Sequence, residues 1–304
     1  MVGRVLELTR SGVAVRKARG FLLVEEGGKE IGRISLDEIE VVLVTSPGVM
    51  WSNGVLATLS KQGVPVMLLG SRFTPEGVVL PLDGHHAQSA RFRAQADATR
   101  PFRKQAWASI VRQKIAAQAD ALARIGQPAE RLRHLASEVR SGDPDNREAA
   151  AARAYWPLLM GKDFRRDPDE PGVNAILNYG YSVLRASTAR AIVSVGLHPS
   201  LSVHHSSGGS ALALADDLME PFRPTVDLVV HGLADEGVDS VDEARKDLVG
   251  CLSADFPTNY GSTPLSHVIV RLSQSLARSY VERKLKLEFP NKPLPDESGS
   301  SADG

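Results

Sequence analysis

The sequence predicts an α+β protein of two domains, a small N-terminal β-rich domain followed by a larger α-helical one. Residues 1 to about 83 hold short, β-branched runs separated by Gly, Ser and Pro. From about Phe92 onward the apolar spacing becomes helical. A chain of 304 residues is also long for one compact unit, so two cores are expected. The predicted division is 1–83 for the β-rich domain, 84–290 for the helical domain and 291–304 for a disordered tail.

Strands are predicted at Val5–Leu8, Gly12–Val15, Gly20–Val24, Val41–Val44, Pro65–Leu69 and Gly77–Leu80. One helix interrupts them: Ser52 or Asn53 can cap it, Val55, Leu56 and Leu59 form its apolar stripe, and Gly63 ends it. In the helical part Trp107, Ile110, Val111 and Ile115 form one stripe, and Leu132, Leu135 and Val139 another. Breaks fall at Gly126–Pro128 and Ser141–Pro144. A further helix follows Asp145-Asn146 and runs through Glu148 and Tyr155-Trp156, with Pro157 limiting or bending it. Another runs from near Asn174 toward Ile192. Long helices at Val241–Leu252 and Pro264–Leu287 precede a tail, PNKPLPDESGSSADG, that lacks apolar periodicity.

Apolar residues at 42% and charged residues at 24% describe a soluble globular protein. The first twenty residues are interrupted by Arg4, Glu7, Arg10, Arg16 and Lys17, and no run approaches the ~18 apolar residues of a membrane span. A cytoplasmic protein is expected. The lone Cys251 offers neither an internal disulfide nor a thiolate cluster. Net charge is zero, yet arginine and lysine crowd residues 91–140: Arg91, Arg93, Arg100, Arg103, Lys104, Arg112, Lys114, Arg124, Arg131, Arg133 and Arg140. Such asymmetry is a footprint for a phosphate backbone, or else a set of solvated helix faces with local acidic partners.

The segment HHSSGGSALALADDLMEPFRP carries the chemistry. It sets His204 and His205 before Asp216, Asp217 and Glu220, a ligand set suited to Mg²⁺, Mn²⁺ or Zn²⁺. From Ala211 it reads as helix, so Asp217 and Glu220 share a face, and Pro221 should kink the chain. The rival reading is the solvated face of an amphipathic helix. The two histidines follow extended-looking residues and should point to opposite faces, so only one can reach a shared site. Spacing does not choose between them. There is no phosphate-binding GxxxxGK[ST] loop, no dinucleotide fingerprint and no internal repeat.

Three segments in order, GDPDNREAAAARAYWPLL (142–159), NAILNYGYSVLRASTARAIVSVGLHPSLSVHH (174–205) and LADDLMEPFRPTVD (214–227), resemble the CRISPR spacer-acquisition integrases, the Cas one family. The segment RLRHLASEVRSGDPDNRE (131–148) is similar to the compact form found in type II systems. The resemblance implies that the helical domain is metal-dependent and catalytic. It implies metal ligands Glu148, His205 and Glu220, with Asp217 as a supporting acidic residue and His204 as a neighbour. On spacing alone, Glu148 could instead close a capping box three residues after Asp145. The loop Ser206–Ser210 is poorer in asparagine and aromatic residues than in relatives, which leaves fewer large side chains to contact DNA or steady the loop.

The resemblance further implies Mg²⁺ or Mn²⁺ and a transesterification in which a DNA 3′-hydroxyl attacks a phosphodiester at the end of a CRISPR repeat. The implied partners are double-stranded DNA as prespacer and repeat, a homodimer partner held largely through the β-rich domain, and a Cas two dimer bridging two homodimers. Other type II Cas proteins are further candidates, and no membrane is involved. Arg103, Lys104, Arg112, Lys114, Arg131, Arg133, Arg140 and Arg223 are candidate DNA contacts, Arg223 having an ion pair as its equal alternative. Two other readings stay open: a metal-dependent nuclease acting on branched DNA, and a non-catalytic DNA-binding scaffold.

Overall fold

A computed structural model describes residues 3–204 and 210–296. The N-terminal part holds β1 (Arg4–Leu8), β2 (Val13–Ala18), β3 (Phe21–Glu26), β4 (Lys29–Ser35), β5 (Ile39–Val44), β6 (Met50–Trp51), α1 (Asn53–Lys61), β7 (Val66–Leu69) and β8 (Pro75–Val79). They form two four-stranded sheets, ordered β1-β5-β7-β8 and β4-β3-β2-β6. In the first, β5 pairs in parallel with β1 and β7, and β8 closes the edge antiparallel to β7. In the second, β2, β3 and β4 make an antiparallel meander. Strand β4 was not predicted, because KEIGRIS lacks a β-branched run; the Gly27-Gly28 turn, both residues at positive φ, folds it back onto β3 as a two-residue hairpin.

The apolar run Val41–Val44 of β5 is buried on both faces, as such a run in a parallel strand should be. Its residues alternate between two cores. Val42 and Val44 join Leu22, Val55, Leu59 and Val66 in a core under α1, whereas Val41 and Leu43 join Met67 and Leu69 in the large core of the helical part. Polar contacts reinforce this junction: Ser187 donates to the buried Glu40 at 2.9 Å, and Arg245 pairs with Glu7 at 2.9 Å.

The helical part contains α2 (Gln88–Ala96), α3 (Arg100–Arg124), α4 (Glu130–Ser137), α5 (Arg147–Leu159), α6 (Val173–Ser194), α7 (Ala213–Met219), α8 (Arg223–Asp235), α9 (Val241–Gly250) and α10 (Leu265–Glu282). Helix α3 starts on Thr99, whose hydroxyl accepts from Phe102 N–H at 3.3 Å, with Pro101 tolerated in its first turn. Helix α6 is the central element and is buried along nearly its whole length. Gly180 permits that, since a Cβ there would lie 2.5 Å from Val226 and 3.0 Å from Leu248. No helix among the described residues is long and apolar enough to cross a membrane.

Further details depart from the sequence prediction. The kink expected at Pro221 is a full break: α7 stops at Met219, Glu220–Phe222 forms a 3₁₀ turn and α8 begins at Arg223. A hairpin, β9 (Asp255–Thr258) and β10 (Gly261–Pro264), stands between α9 and α10, and α10 ends at Glu282 rather than Leu287, with Arg283 left-handed. The tail is not free from residue 291. Asn291 N–H donates to the Pro257 carbonyl at 2.8 Å, Asp296 N–H to that of Asp255 at 2.9 Å, and Leu294 is 1% exposed. One buried leucine and two backbone hydrogen bonds anchor a segment whose composition suggested disorder. Replacing Leu294 by alanine should destabilise the protein by about 2–3 kcal/mol in a denaturant melt and raise amide exchange in residues 291–296. Unchanged stability and exchange would show that the segment is only laid on the surface.

Candidate active site

Glu148 sits in the first turn of α5, and two other side chains cap that turn. Asp143 accepts from the N–H groups of Arg147 and Glu148 at 2.9 and 3.0 Å, and Asn146, left-handed at φ 51°, accepts from Ala149 at 3.3 Å. Asp145 is engaged by Arg140. The capping-box alternative for Glu148 is therefore overturned: its carboxylate turns instead toward α3.

There it meets Lys114. The Lys114 ammonium lies 2.6 Å from Glu148 Oε1 and 2.5 Å from Glu220 Oε2, so two carboxylates from distant helices share one cation. Burial opposes the charged ammonium, but Glu220 and Glu148 outweigh it and hold Lys114 above its ordinary pKa. The other oxygen of Glu220 receives Arg223 at 3.1 Å, and the Arg223 guanidinium lies over the Tyr181 ring, 4.7 Å from its centroid. Beneath them Asp227 accepts hydrogen bonds from the hydroxyls of Tyr155, at 3.1 Å, and Tyr181. Burial raises the Asp227 pKa to about 6, the two hydroxyls and Arg223 limiting the rise, and both tyrosines are pushed well above their usual range by the same burial.

Asp217 is fully buried and one oxygen accepts from the N–H groups of Val203 and His204 at 2.6 and 2.9 Å. It fixes the backbone that leads directly into His205. His205 itself lies outside the described residues, and among those described no group of three His, Cys, Asp or Glu side chains gathers as a metal site. His204 is stacked on Trp107, with ring centroids 4.2 Å apart and planes within 5°. Asp216 pairs with Arg185 at 2.6 Å.

The predicted DNA contacts divide. Arg103 and Lys104, with Arg100, line an open cavity of about 390 Å³ floored by Trp107 and His204, and none of the three forms an ion pair among the described residues. Arg131 is also exposed. Four others have partners within the chain: Arg112 donates twice to the Val139 carbonyl, Arg140 grips Asp145, Lys114 bridges the glutamates and Arg223 pairs with Glu220. Arg133 lies 3.7 Å from Glu130 on the surface, a weak pairing. Sequence reasoning did not find Tyr155, Tyr181 and Asp227, because nothing local links residues 46 and 72 positions apart.

Two carboxylates gathered around one cation, and a cavity whose Arg100, Arg103 and Lys104 form no ion pair among the described residues, are features suited to phosphodiester chemistry. The family model described as "CRISPR associated protein Cas1" matches residues 6–255. The chain is 39% identical over 232 residues to the CRISPR-associated endonuclease Cas1 of Neisseria meningitidis serogroup C, covering 76% of each chain. It is 31% identical over 289 residues to a Cas1 endonuclease of Pyrobaculum aerophilum, covering 88% of this chain and 96% of the other. In fold it is similar to a casposase bound to integration product, at TM-score 0.80, 21% identity and 94% and 93% coverage. It is also similar to a Cas1 protein from Thermotoga maritima, at TM-score 0.76, 18% identity and 94% and 100% coverage. The chain belongs to the CRISPR-associated Cas1 family and is an enzyme of its nuclease class.

The Asp227 hub has a pH signature. Its folded pKa of about 6 stands above the ordinary 3.8, so the folded state holds the extra proton between those values, and stability from this group is lost as pH rises through them. Asp227→Asn mimics the protonated form. Its stability deficit against the wild type should be largest near pH 4 and narrow by up to about 3 kcal/mol by pH 7 in parallel denaturant melts. A deficit that does not vary with pH would mean that Asp227 ionises as it does in water.

Proposed function

We propose that this chain integrates short DNA fragments into a CRISPR array by transesterification. A 3′-hydroxyl oxygen attacks the phosphorus at a repeat end, a new P–O bond forms, and the repeat strand's 3′-oxygen leaves and takes up a proton. One phosphodiester replaces another, so no high-energy cofactor is needed. The observation that carries the reading is the convergence of Glu148 and Glu220 on a single cation in a member of the Cas1 family.

The donor set fits a divalent ion. Two carboxylates already close on one positive charge at 2.6 and 2.5 Å, and oxygen donors without thiolates suit Mg²⁺ or Mn²⁺. Glu148 and Glu220 would hold the ion, with His205 as the third ligand. Such an ion would supply charge stabilisation at the phosphoryl group and ease deprotonation of the attacking hydroxyl. The chain's own residues do the positioning. Arg223 fixes the rotamer of Glu220, Tyr181 and Asp227 hold the surroundings of Arg223, and Asp217 tethers the backbone before His205. Arg100, Arg103 and Lys104 offer unpaired charge to the phosphates of a strand entering beside the site, contacts that position DNA without reading sequence.

The reading extends to double-stranded prespacer and repeat as substrates, a homodimer, and a bridging Cas two dimer, in a type II system in the cytoplasm. Solved relatives of similar fold include a complex of Cas6-RT-Cas1 with Cas2 and a Cas1–DNA complex. The helical segment 84–290 is the catalytic domain and 1–83 supplies the dimer contact.

The test is strand joining by the purified chain with its small partner, a 3′-hydroxyl duplex and a plasmid bearing a repeat, in Mg²⁺ or Mn²⁺ against EDTA. Metal-dependent joining is expected; shortened strands without joining would favour the nuclease reading, and DNA binding with neither activity the scaffold. Glu148→Ala, His205→Ala and Glu220→Ala should each lower joining by at least about a hundredfold, roughly 3 kcal/mol, while leaving DNA binding largely intact. Normal joining by Glu148→Ala would refute the site assignment. The double variant Arg103→Ala/Lys104→Ala should reduce the slope of log affinity against log salt by about 2, near 0.9 for each lost phosphate contact. Arg140→Ala, whose guanidinium is held by Asp145, should leave that slope unchanged.

A further inference from the structure

The two glutamates of the site already have cationic partners. Lys114 stands between Glu148 and Glu220, and Arg223 takes the remaining oxygen of Glu220 at 3.1 Å, so among the described residues these two carboxylates, with Asp227 beneath them, face two cations. The Lys114 side chain is only 12% exposed, which leaves solvent little room to screen it. A divalent ion added with Lys114 in place would leave a buried cluster carrying a surplus of positive charge, and like charges at contact distance in such surroundings repel strongly. The ammonium also fills the space that joins the two carboxylates. Entry of an ion therefore requires it to leave. The cluster opens on the Glu148 side, whose side chain is 23% exposed against 5% for Glu220. A lysine stem is long and flexible enough to swing there, and a phosphate offers its charge a new partner.

We propose that Lys114 is a resident counter-cation that a divalent ion displaces from between Glu148 and Glu220, and that the displaced ammonium turns to a phosphate of the bound DNA, so that metal and DNA load together. The proposal rests on the metal-site reading given under Proposed function. Lys114 is then a positioning residue: without metal it keeps the two carboxylates converged, and with metal it makes occupancy depend on substrate. By linkage, DNA must tighten metal binding by the same factor as metal tightens DNA binding.

The test is Mn²⁺ binding to the full chain, read from the electron paramagnetic resonance signal of free Mn²⁺, with and without a 3′-hydroxyl duplex and corrected for Mn²⁺ held by the duplex alone. Without DNA, Lys114→Met should bind Mn²⁺ at least about tenfold more tightly than the wild type, because the competing charge is gone. DNA should tighten Mn²⁺ binding several-fold in the wild type and hardly at all in the variant. Lys114→Gln keeps hydrogen-bond donors for both carboxylates, covers the case in which Lys114→Met does not fold, and should behave in the same way. Lysine variants that bind Mn²⁺ no more tightly than the wild type, or that keep its response to DNA, overturn the proposal. Glu220→Gln separates the two levels of failure: if it binds Mn²⁺ as the wild type does, the metal-site reading itself is wrong and the proposal falls with it.

Discussion

Two carboxylates drawn together in a closed interior repel unless a cation stands between them, and the ion triad of Glu148, Lys114 and Glu220 is the constraint around which the helical part is arranged. Each member comes from a different helix segment: Lys114 from the middle of α3, Glu148 from the first turn of α5, Glu220 from the 3₁₀ turn between α7 and α8. Removing Lys114 would leave the two carboxylates facing each other. The packing of α3 against α5 and α8 is therefore tied to the chemistry as well as to the apolar core.

A second layer keeps the triad from relaxing. Arg223 would be an expensive buried cation without Glu220 on one side and the Tyr181 face on the other. Tyr181 in turn spends its hydroxyl on Asp227, which also receives Tyr155 from α5, the helix that carries Glu148. The network closes on itself: Glu148 and Tyr155 ride on one helix, Glu220, Arg223 and Asp227 follow one another across a helix break, and Tyr181 from the central α6 joins the two groups. Rotamers locked in this way are what a site needs if its oxygens are to converge before an ion arrives.

Much of this was visible in the sequence, and the remainder was hidden for identifiable reasons. The apolar run of β5, the stripe on α1 and the long period of α3 and α6 are strong local signals and produced the elements expected. Asp217 and Glu220 stood out locally as carboxylates sharing a face, whereas Glu148 was singled out only by ordered segments that resemble a known family; its local spacing suggested a cap that Asp143 and Asn146 supply instead. Lys114 was read as one more basic residue in a crowded stretch, because charge clustering cannot distinguish an ammonium facing solvent from one facing two carboxylates. Helix α8 was missed because Pro221 and Pro224 argue against a helix, yet each occupies a first-turn position where its absent N–H is harmless. The β9–β10 hairpin, DFPT and GSTP, has only Phe256, Thr258 and Thr263 as strand formers and a proline in each strand, and the tail that follows helps to hold it.

The strand-by-strand alternation of β5 and β7 bears on how the β-rich part serves the site. Val41, Leu43, Met67 and Leu69 belong to the same core as the helices that carry the triad, whereas their neighbours Val42, Val44 and Val66 belong to the core under α1. Full burial of such side chains is worth about 1.5–3 kcal/mol each, so separating the sheet from the helices would expose several residues at once. The change in sequence character near residue 83 marks a change of secondary structure but not a gap between cores. A partner or second copy that docks on the β-rich part would therefore be coupled mechanically to α6 through Glu40 and Ser187 and to α9 through Glu7 and Arg245. From α6, through Tyr181, the path to the Glu220–Arg223 pair is one of direct contact, so the β-rich part is joined to the carboxylates by packed, hydrogen-bonded structure and not by a flexible linker.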